Sequence, residues 1–130
     1  MGSEETLLLS ASTGNLIDLI TSIDEILNAS SNIETKDKDG NTAFLLASKN
    51  GHAIVVETLR DRGADINAQN SANETFLHLA VKYDHQSIVE SVLIPETQNV
   101  TIDAKDIFGR TPLITAAMFG HKSIANLLIK

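Results

Sequence analysis

Three of the four histidines, His52, His85 and His121, fall 33 and then 36 residues apart, and the fourth, His78, sits among them. Imidazole titrates near neutral pH and ligates transition metals, so a proton relay or a metal centre is the first chemistry to consider. Either needs several rings or carboxylates to meet at one point. The acid pairs Asp24–Glu25 and Asp37–Asp39 read as a solvated helix face and a turn, with no second cluster to complete an acid–base site. No H-E-x-x-H, G-x-S-x-G, G-x-G-x-x-G or phosphate-loop motif occurs. The absence of cysteine excludes disulfides, thiolate ligands and a thiol nucleophile. The expectation is a chain with no catalytic residue, no metal and no cofactor, hence not an enzyme.

The even spacing of the histidines belongs to a larger self-similarity. The stretch G40-N-T-A-F-L-L-A-S-K-N-G-H52 can be laid over N73-E-T-F-L-H-L-A-V-K-Y-D-H85 and over G109-R-T-P-L-I-T-A-A-M-F-G-H121. Thr42, Thr75 and Thr111 keep the period, as do Ala47, Ala80 and Ala116. The connecting segments agree as well, with Ile33, Ile66 and Ile102 in register. Each unit reads as a turn and two short helices. Thr111 is placed as a helix N-cap, with Pro112 at the first helical position. In the first unit, spacing puts Leu16, Ile20, Ile23 and Leu27 on one helical face. Residues 88–93 and 124–129 read as apolar second helices. Gly51, Gly63 and Gly120 fall where a left-handed residue ends a helix, and Asp84 stands in for Gly in the third unit. Leu113, Ala116 and Ala117 are expected in the core. One such unit cannot bury its apolar face, so neighbours must stack. Stacking turns His52, His85 and His121 into a ladder, which cannot converge on one ion.

These residues resemble the ankyrin repeat, whose pattern is a turn, T-P-L-H-x-A-A, a G-H step, a second helix and G-A-D-x-N-A. The closest matches are R62-G-A-D-I-N-A68 and R110-T-P-L113. The resemblance implies an all-α fold, an ankyrin-repeat solenoid of stacked helix-turn-helix units joined by β-turn or hairpin loops. It covers residues 1–130 as a single domain, with repeats at about 1–36, 37–69, 70–105 and 106–130. It also implies that the ladder histidines hydrogen-bond between units and that His78 bridges adjacent turns. Ala43 and Phe76 depart from the pattern at the Pro position. The third repeat lacks G-A-D and runs three residues longer through Pro95, a tolerated insertion. Leu59 with D65-I-N67 resembles the target of the asparaginyl hydroxylase that modifies ankyrin repeats, but Asn67 is expected simply to hydrogen-bond the turn backbone. Leu127, Leu128 and Ile129 lack a polar capping unit. Either a longer protein continues the array, or a partner or another copy covers this face through self-association.

At 42% hydrophobic and 21% charged residues, the chain is neither disordered nor membrane-spanning. Its net charge of −7 disfavours a nucleic-acid partner. Charge is uneven: residues 1–36 and 37–103 each carry −5, whereas 104–130 carry +3. Met1-Gly-Ser-Glu-Glu-Thr6 fits the myristoylation pattern formally but has no polybasic second signal, and reads as an acidic N-terminus. The sequons at Asn28, Asn73 and Asn99 lack a signal peptide, so a cytoplasmic (intracellular) chain without membrane contact is expected.

With no chemistry to find, function is sought in exposed side chains. The resemblance implies a concave groove lined by turn tips and the exposed ends of first helices. The second repeat offers Lys38, Asp39, Asn41, Lys49 and Asn50. The third offers Ser71, Ala72, Glu74, Lys82 and Tyr83, and the fourth Ile107, Phe108, Arg110, Met118 and Phe119. The groove thus passes from polar to apolar, and an exposed apolar patch containing aromatics, Met and Arg suits an interface core. A protein-binding module or scaffold is the first expectation. The alternative is a targeting arm of a larger multidomain enzyme or effector.

Overall fold

The computed structural model describes residues 2–28, 33–93 and 100–129. Within them run α1 (Ser3–Thr13), α2 (Leu16–Asn28), α3 (Ala43–Asn50), α4 (Ala53–Asp61), α5 (Phe76–Lys82), α6 (Gln86–Val92), α7 (Pro112–Phe119) and α8 (Lys122–Ile129). No strand occurs among the described residues. The insertion around Pro95 and the Asn99 sequon lie outside them, as does the segment 29–32.

Six of these helices have only seven to nine residues, too short to persist alone in water, so caps and packing must hold them. Thr42, Thr75 and Thr111 each accept a hydrogen bond on Oγ1 from the N–H three residues on, in Leu45, His78 and Ile114. Pro112 occupies the first turn of α7, where its missing N–H costs nothing. Gly14, Gly51 and Gly120 close α1, α3 and α7 in the left-handed conformation, and Asp84 adopts it after α5 with φ 63°.

Each first helix packs on its own second helix. The first helices α1, α3, α5 and α7 also stack in sequence, and α2, α4, α6 and α8 form the second layer. The core runs continuously through the stack, from Leu7 and Ala11 through Phe44, Leu59, Phe76 and Val89 to Ala116 and Ile124. Phe44 meets Phe76 edge to face at 5.0 Å, fastening the second repeat to the third.

Two expectations are corrected. The buried stripe of α2 is Leu19, Ile23 and Ile26, with Leu16 and Ile20 only partly covered; the Leu27 side chain lies outside the description. The run L16-I-D-L-I-T-S-I-D-E-I-L27 contains two overlapping helical stripes, and packing on α1 and α4 selects the 16/19/23/26 set. In α7, Ala116 is buried as expected, but Leu113 and Ala117 are exposed. Their side chains point to the outer side of the fourth repeat, where no described element covers them.

Candidate binding groove

The turns that edge the groove are built by a side chain at one repeated position. Asp37 Oδ1 accepts from the N–H groups of Asp39 and Asn41, both at 2.9 Å. Asn70 Oδ1 accepts from Ala72 and Glu74, both at 3.0 Å. Asp106 Oδ1 accepts from Phe108 and Arg110, both at 2.9 Å. This acceptor role, an Asx turn, suits either carboxylate or amide. Burial raises the Asp106 pKa, but hydrogen bonds from the Arg110 N–H, its guanidinium and the Phe108 N–H outweigh it. With the charge on Arg110, they hold the carboxyl below its usual value.

The turns are joined to each other. Ser71 N–H donates to the Asp39 carbonyl at 3.0 Å and Ile107 N–H to the Ala72 carbonyl at 2.8 Å. Asn70 Nδ2 donates to Asn41 Oδ1 at 3.0 Å. His78, buried in α5, donates through Nε2 to the Arg110 carbonyl at 2.7 Å, while Nδ1 accepts from Thr75 N–H at 3.2 Å. It therefore bridges adjacent turns, as the family resemblance implied.

The other three histidines form the expected ladder. His52 Nε2 donates to the Ser12 carbonyl at 2.9 Å, His85 to that of Lys49 at 2.8 Å and His121 to that of Lys82 at 3.3 Å. At two steps the glycine that ends a first helix is explained by the imidazole of the next repeat. A Cβ on Gly14 would lie 2.7 Å from His52 Nδ1, and one on Gly51 2.6 Å from His85 Nδ1. At the third step Asp84 does carry a Cβ. There the ladder bond is longest, and Asp84 Oδ1 stands 3.6 Å from His121 Nδ1. Among the described residues no three His, Cys, Asp or Glu converge as a metal site.

Nine of the residues singled out from sequence meet around one open cleft of about 340 Å³: Lys38, Asp39, Asn41, Lys49, Ser71, Ala72, Glu74, Lys82 and Tyr83. The Lys49 and Lys82 ammoniums lie 5.9 and 5.6 Å from the centre of the Tyr83 ring. Glu74 accepts from Asn70 Nδ2 at 3.0 Å and sits 3.9 Å from Lys82 Nζ. Asn41 is buried and engaged with Asn70, so it forms the floor of the cleft more than its surface. Asn50 leaves the cleft and donates to the carbonyl and hydroxyl of Ser12 in the first repeat, both at 3.0 Å.

The fourth-repeat residues form a separate, apolar platform beside this cleft. Ile107, Phe108, Met118 and Phe119 are 57, 76, 57 and 48% exposed. Arg110 ties them to the frame: its Nε donates to Asp106 Oδ2 at 2.8 Å, its guanidinium lies 4.9 Å from the centre of the Phe108 ring, and Nη1 lies 3.9 Å from Met118 Sδ. Phe119 stacks on His121 at 6.2 Å. Sequence reading missed the Asx-turn residues, although the signal was present as Asp37, Asn70 and Asp106 three positions before Gly40, Asn73 and Gly109. It also missed Asn67 as a link between repeats: its Oδ1 accepts from Thr101 N–H at 3.1 Å and Thr101 Oγ1 at 3.0 Å.

Repeated caps, turns bonded in series from the second to the fourth repeat and a histidine ladder define a stack of helix-turn-helix repeats with an open groove. A family profile described as ankyrin repeats in three copies matches residues 63–130, and one for ankyrin repeats in many copies matches 26–80. The chain belongs to the ankyrin repeat family. It is similar to the Neurogenic locus Notch protein of Drosophila melanogaster, 35% identical over 95 residues, which are 73% of this chain and 3% of that protein. It is also similar to the E3 ubiquitin-protein ligase XBAT33 of Arabidopsis thaliana, 35% identical over 89 residues, 68% of the chain and 17% of that protein. A putative ankyrin repeat protein of Rickettsia bellii is 30% identical over 126 residues, 95% of the chain and 66% of that protein. Ankyrin repeats are in general protein–protein interaction modules, and no described helix is long and apolar enough to cross a membrane.

Proposed function

We propose that this chain is a non-catalytic, cytoplasmic scaffold module that binds another protein through its concave groove. The polar cleft around Tyr83 sets orientation, and the platform of Ile107, Phe108, Met118 and Phe119 supplies the apolar anchor. One observation carries the reading. In the second and third repeats the positions equivalent to these four are Lys38 and Ser71, Asp39 and Ala72, Lys49 and Lys82, and Asn50 and Tyr83. All remain exposed or half-buried although a following repeat is stacked beside them. Stacking therefore does not consume these positions, and apolar side chains there are available to a partner. Large apolar groups left in water at a continuous site are typical of interfaces, whose binding energy concentrates in a few aromatic anchors.

Changing Phe108 and Phe119 together to Ser tests this. Both are well exposed, so circular dichroism and Tm should stay near wild type. Affinity for a protein captured by the wild-type chain should fall at least roughly tenfold, the effect of losing about 1.4 kcal/mol. Undiminished affinity would place the interface elsewhere. A second reading, a recruiting arm of a larger enzyme or effector, is favoured by the match to a named E3 ubiquitin ligase of which the matching segment is 17%. The full-length open reading frame decides between the two.

A further inference from the structure

The cleft around Tyr83 differs in charge from the chain that carries it. Lys38, Lys49 and Lys82 line it together with Asp39 and Glu74, a local balance of +1 in a chain of net −7. At the positions equivalent to Lys49 and Lys82, the first repeat carries Ser12 and the fourth Met118. This row of the groove is therefore cationic only at its centre.

The ammoniums are held in place without being neutralised. Lys49 Nζ and Lys82 Nζ both face the Tyr83 ring, at 5.9 and 5.6 Å from its centre. Among the described residues neither Lys38 nor Lys49 has a carboxylate partner, and Lys82 has only Glu74 at 3.9 Å. Glu74 is itself engaged, accepting from Asn70 Nδ2 at 3.0 Å. An aromatic face attracts a cation without cancelling its charge, and two ammoniums gathered on one ring repel each other. An anion entering between them relieves that repulsion and gains charge-assisted hydrogen bonds. Lys49 and Lys82 are half-buried, so their stems are already ordered for it.

The donor set suits a carboxylate better than a phosphate. Among the described residues no arginine lines the cleft, and Arg110 keeps its guanidinium on Asp106 at 2.8 Å. The planar fork that grips phosphate bidentately is therefore missing. Asp39 and Glu74 on the rim also weigh more heavily against a dianion than against a single negative charge.

We infer that the Tyr83 cleft receives an aspartate or glutamate side chain of the partner protein. This assignment rests on the proposed groove function, which sets an apolar residue of the same partner segment on the fourth-repeat platform. The cleft spans the second and third repeats, so at the usual helix spacing its centre lies about 12–15 Å from the platform. An extended chain advances about 3.3 Å per residue, which puts the acidic and apolar residues roughly four or five positions apart.

Random dodecapeptides displayed on phage and selected on the wild-type chain test this. Enriched sequences should carry Asp or Glu roughly four or five positions from Phe, Trp, Leu or Met. A synthetic peptide of that kind, followed by fluorescence anisotropy, should bind the Lys49→Glu, Lys82→Glu double variant at least about tenfold more weakly, with circular dichroism unchanged. The loss should shrink as sodium chloride is raised. Exchanging the peptide's acid for Lys should restore binding to that variant, which a merely damaged fold cannot do. Phosphoserine in place of the acid should bind no better than Glu. Selected peptides without an acid, no selection at all, or a peptide indifferent to the two lysines would overturn the assignment. So would a phosphopeptide bound at least about tenfold more tightly. Failure of the groove reading looks different: acidic peptides then respond to the lysines but not to Phe108→Ser with Phe119→Ser, which upholds the carboxylate site and removes the apolar anchor.

Discussion

Asp106 shows what one side chain does for the groove. Its Oδ1 fixes the turn that displays Ile107 and Phe108, and its Oδ2 holds Arg110 against the Phe108 ring. Asn70 performs the turn function in the third repeat with an amide. Asp106→Asn should therefore keep the turn and cost less than about 1 kcal/mol at pH 7, whereas Asp106→Ala leaves two N–H groups without their acceptor and should cost about 1–3 kcal/mol. The native pKa lies below the unfolded one, so the stabilisation is fully present above the unfolded value of about 3.9 and is lost as pH falls through the native value. Urea titrations at pH 6 and pH 3 should show wild type losing more stability than Asp106→Asn over that interval. An equal loss would mean that the Asp106 charge does not contribute.

Between elements, the deciding contact is a helix-ending residue against the next repeat's imidazole. Gly51 is left-handed at φ 80° with the His85 ring against its α-carbon, so Gly51→Ala meets both backbone strain and a clash and should lose roughly 2 kcal/mol or more. The third step is the reverse case. Asp84 is left-handed with a side chain, and the His121 bond there is stretched to 3.3 Å. Asp84→Gly should relieve the conformation, let His121 close on the Lys82 carbonyl, and stabilise the protein by up to about 1 kcal/mol, read as a rise in Tm. A fall in Tm would show that the Asp84–His121 pair outweighs the strain. This scale was also the most legible in the sequence. The Thr caps and the ladder histidines recur in register in the second to fourth repeats, whereas the bridging role of His78 is implied by the family resemblance. The α2 face was not legible, because Leu16, Leu19, Ile20 and Ile23 serve two stripes equally and only packing on neighbouring helices chooses. Leu113 and Ala117 misled for a related reason: their type says core, but burial depends on an element beyond their own repeat. The groove positions carry over from the ankyrin resemblance by repeat register; of these Asn41 is buried rather than at the surface, and Asn50, though exposed, spends its amide on the first repeat.

For the molecule as a whole, stability in a one-dimensional stack is a sum over repeats and the interfaces between them. The interior repeats are covered on both sides: α3 and α5 bury Phe44, Leu45, Phe76, Leu77 and His78 completely or nearly so. Among the described residues the fourth repeat packs against the third alone, and α8 buries only Ile124 while Leu127 and Leu128 stay partly exposed. Opening of α7 and α8 together then breaks the His78–Arg110 and His121–Lys82 bonds and the Ile107–Ala72 turn bond, but leaves the Phe44–Phe76 contact untouched. Partial opening of this kind is cheaper than global unfolding, so amides in α7 and α8 should exchange through it while those in α3 and α5 wait for the global event. Native-state hydrogen exchange should give the fourth-repeat helices protection at least about tenfold lower, a difference of roughly 1.4 kcal/mol or more. His78→Ala should widen that gap, because it removes the His78–Arg110 bond from α5 into the fourth-repeat turn. Uniform protection across α3, α5, α7 and α8 would instead mean that the turn ladder makes the four repeats a single cooperative unit, with the groove platform as firmly held as its centre.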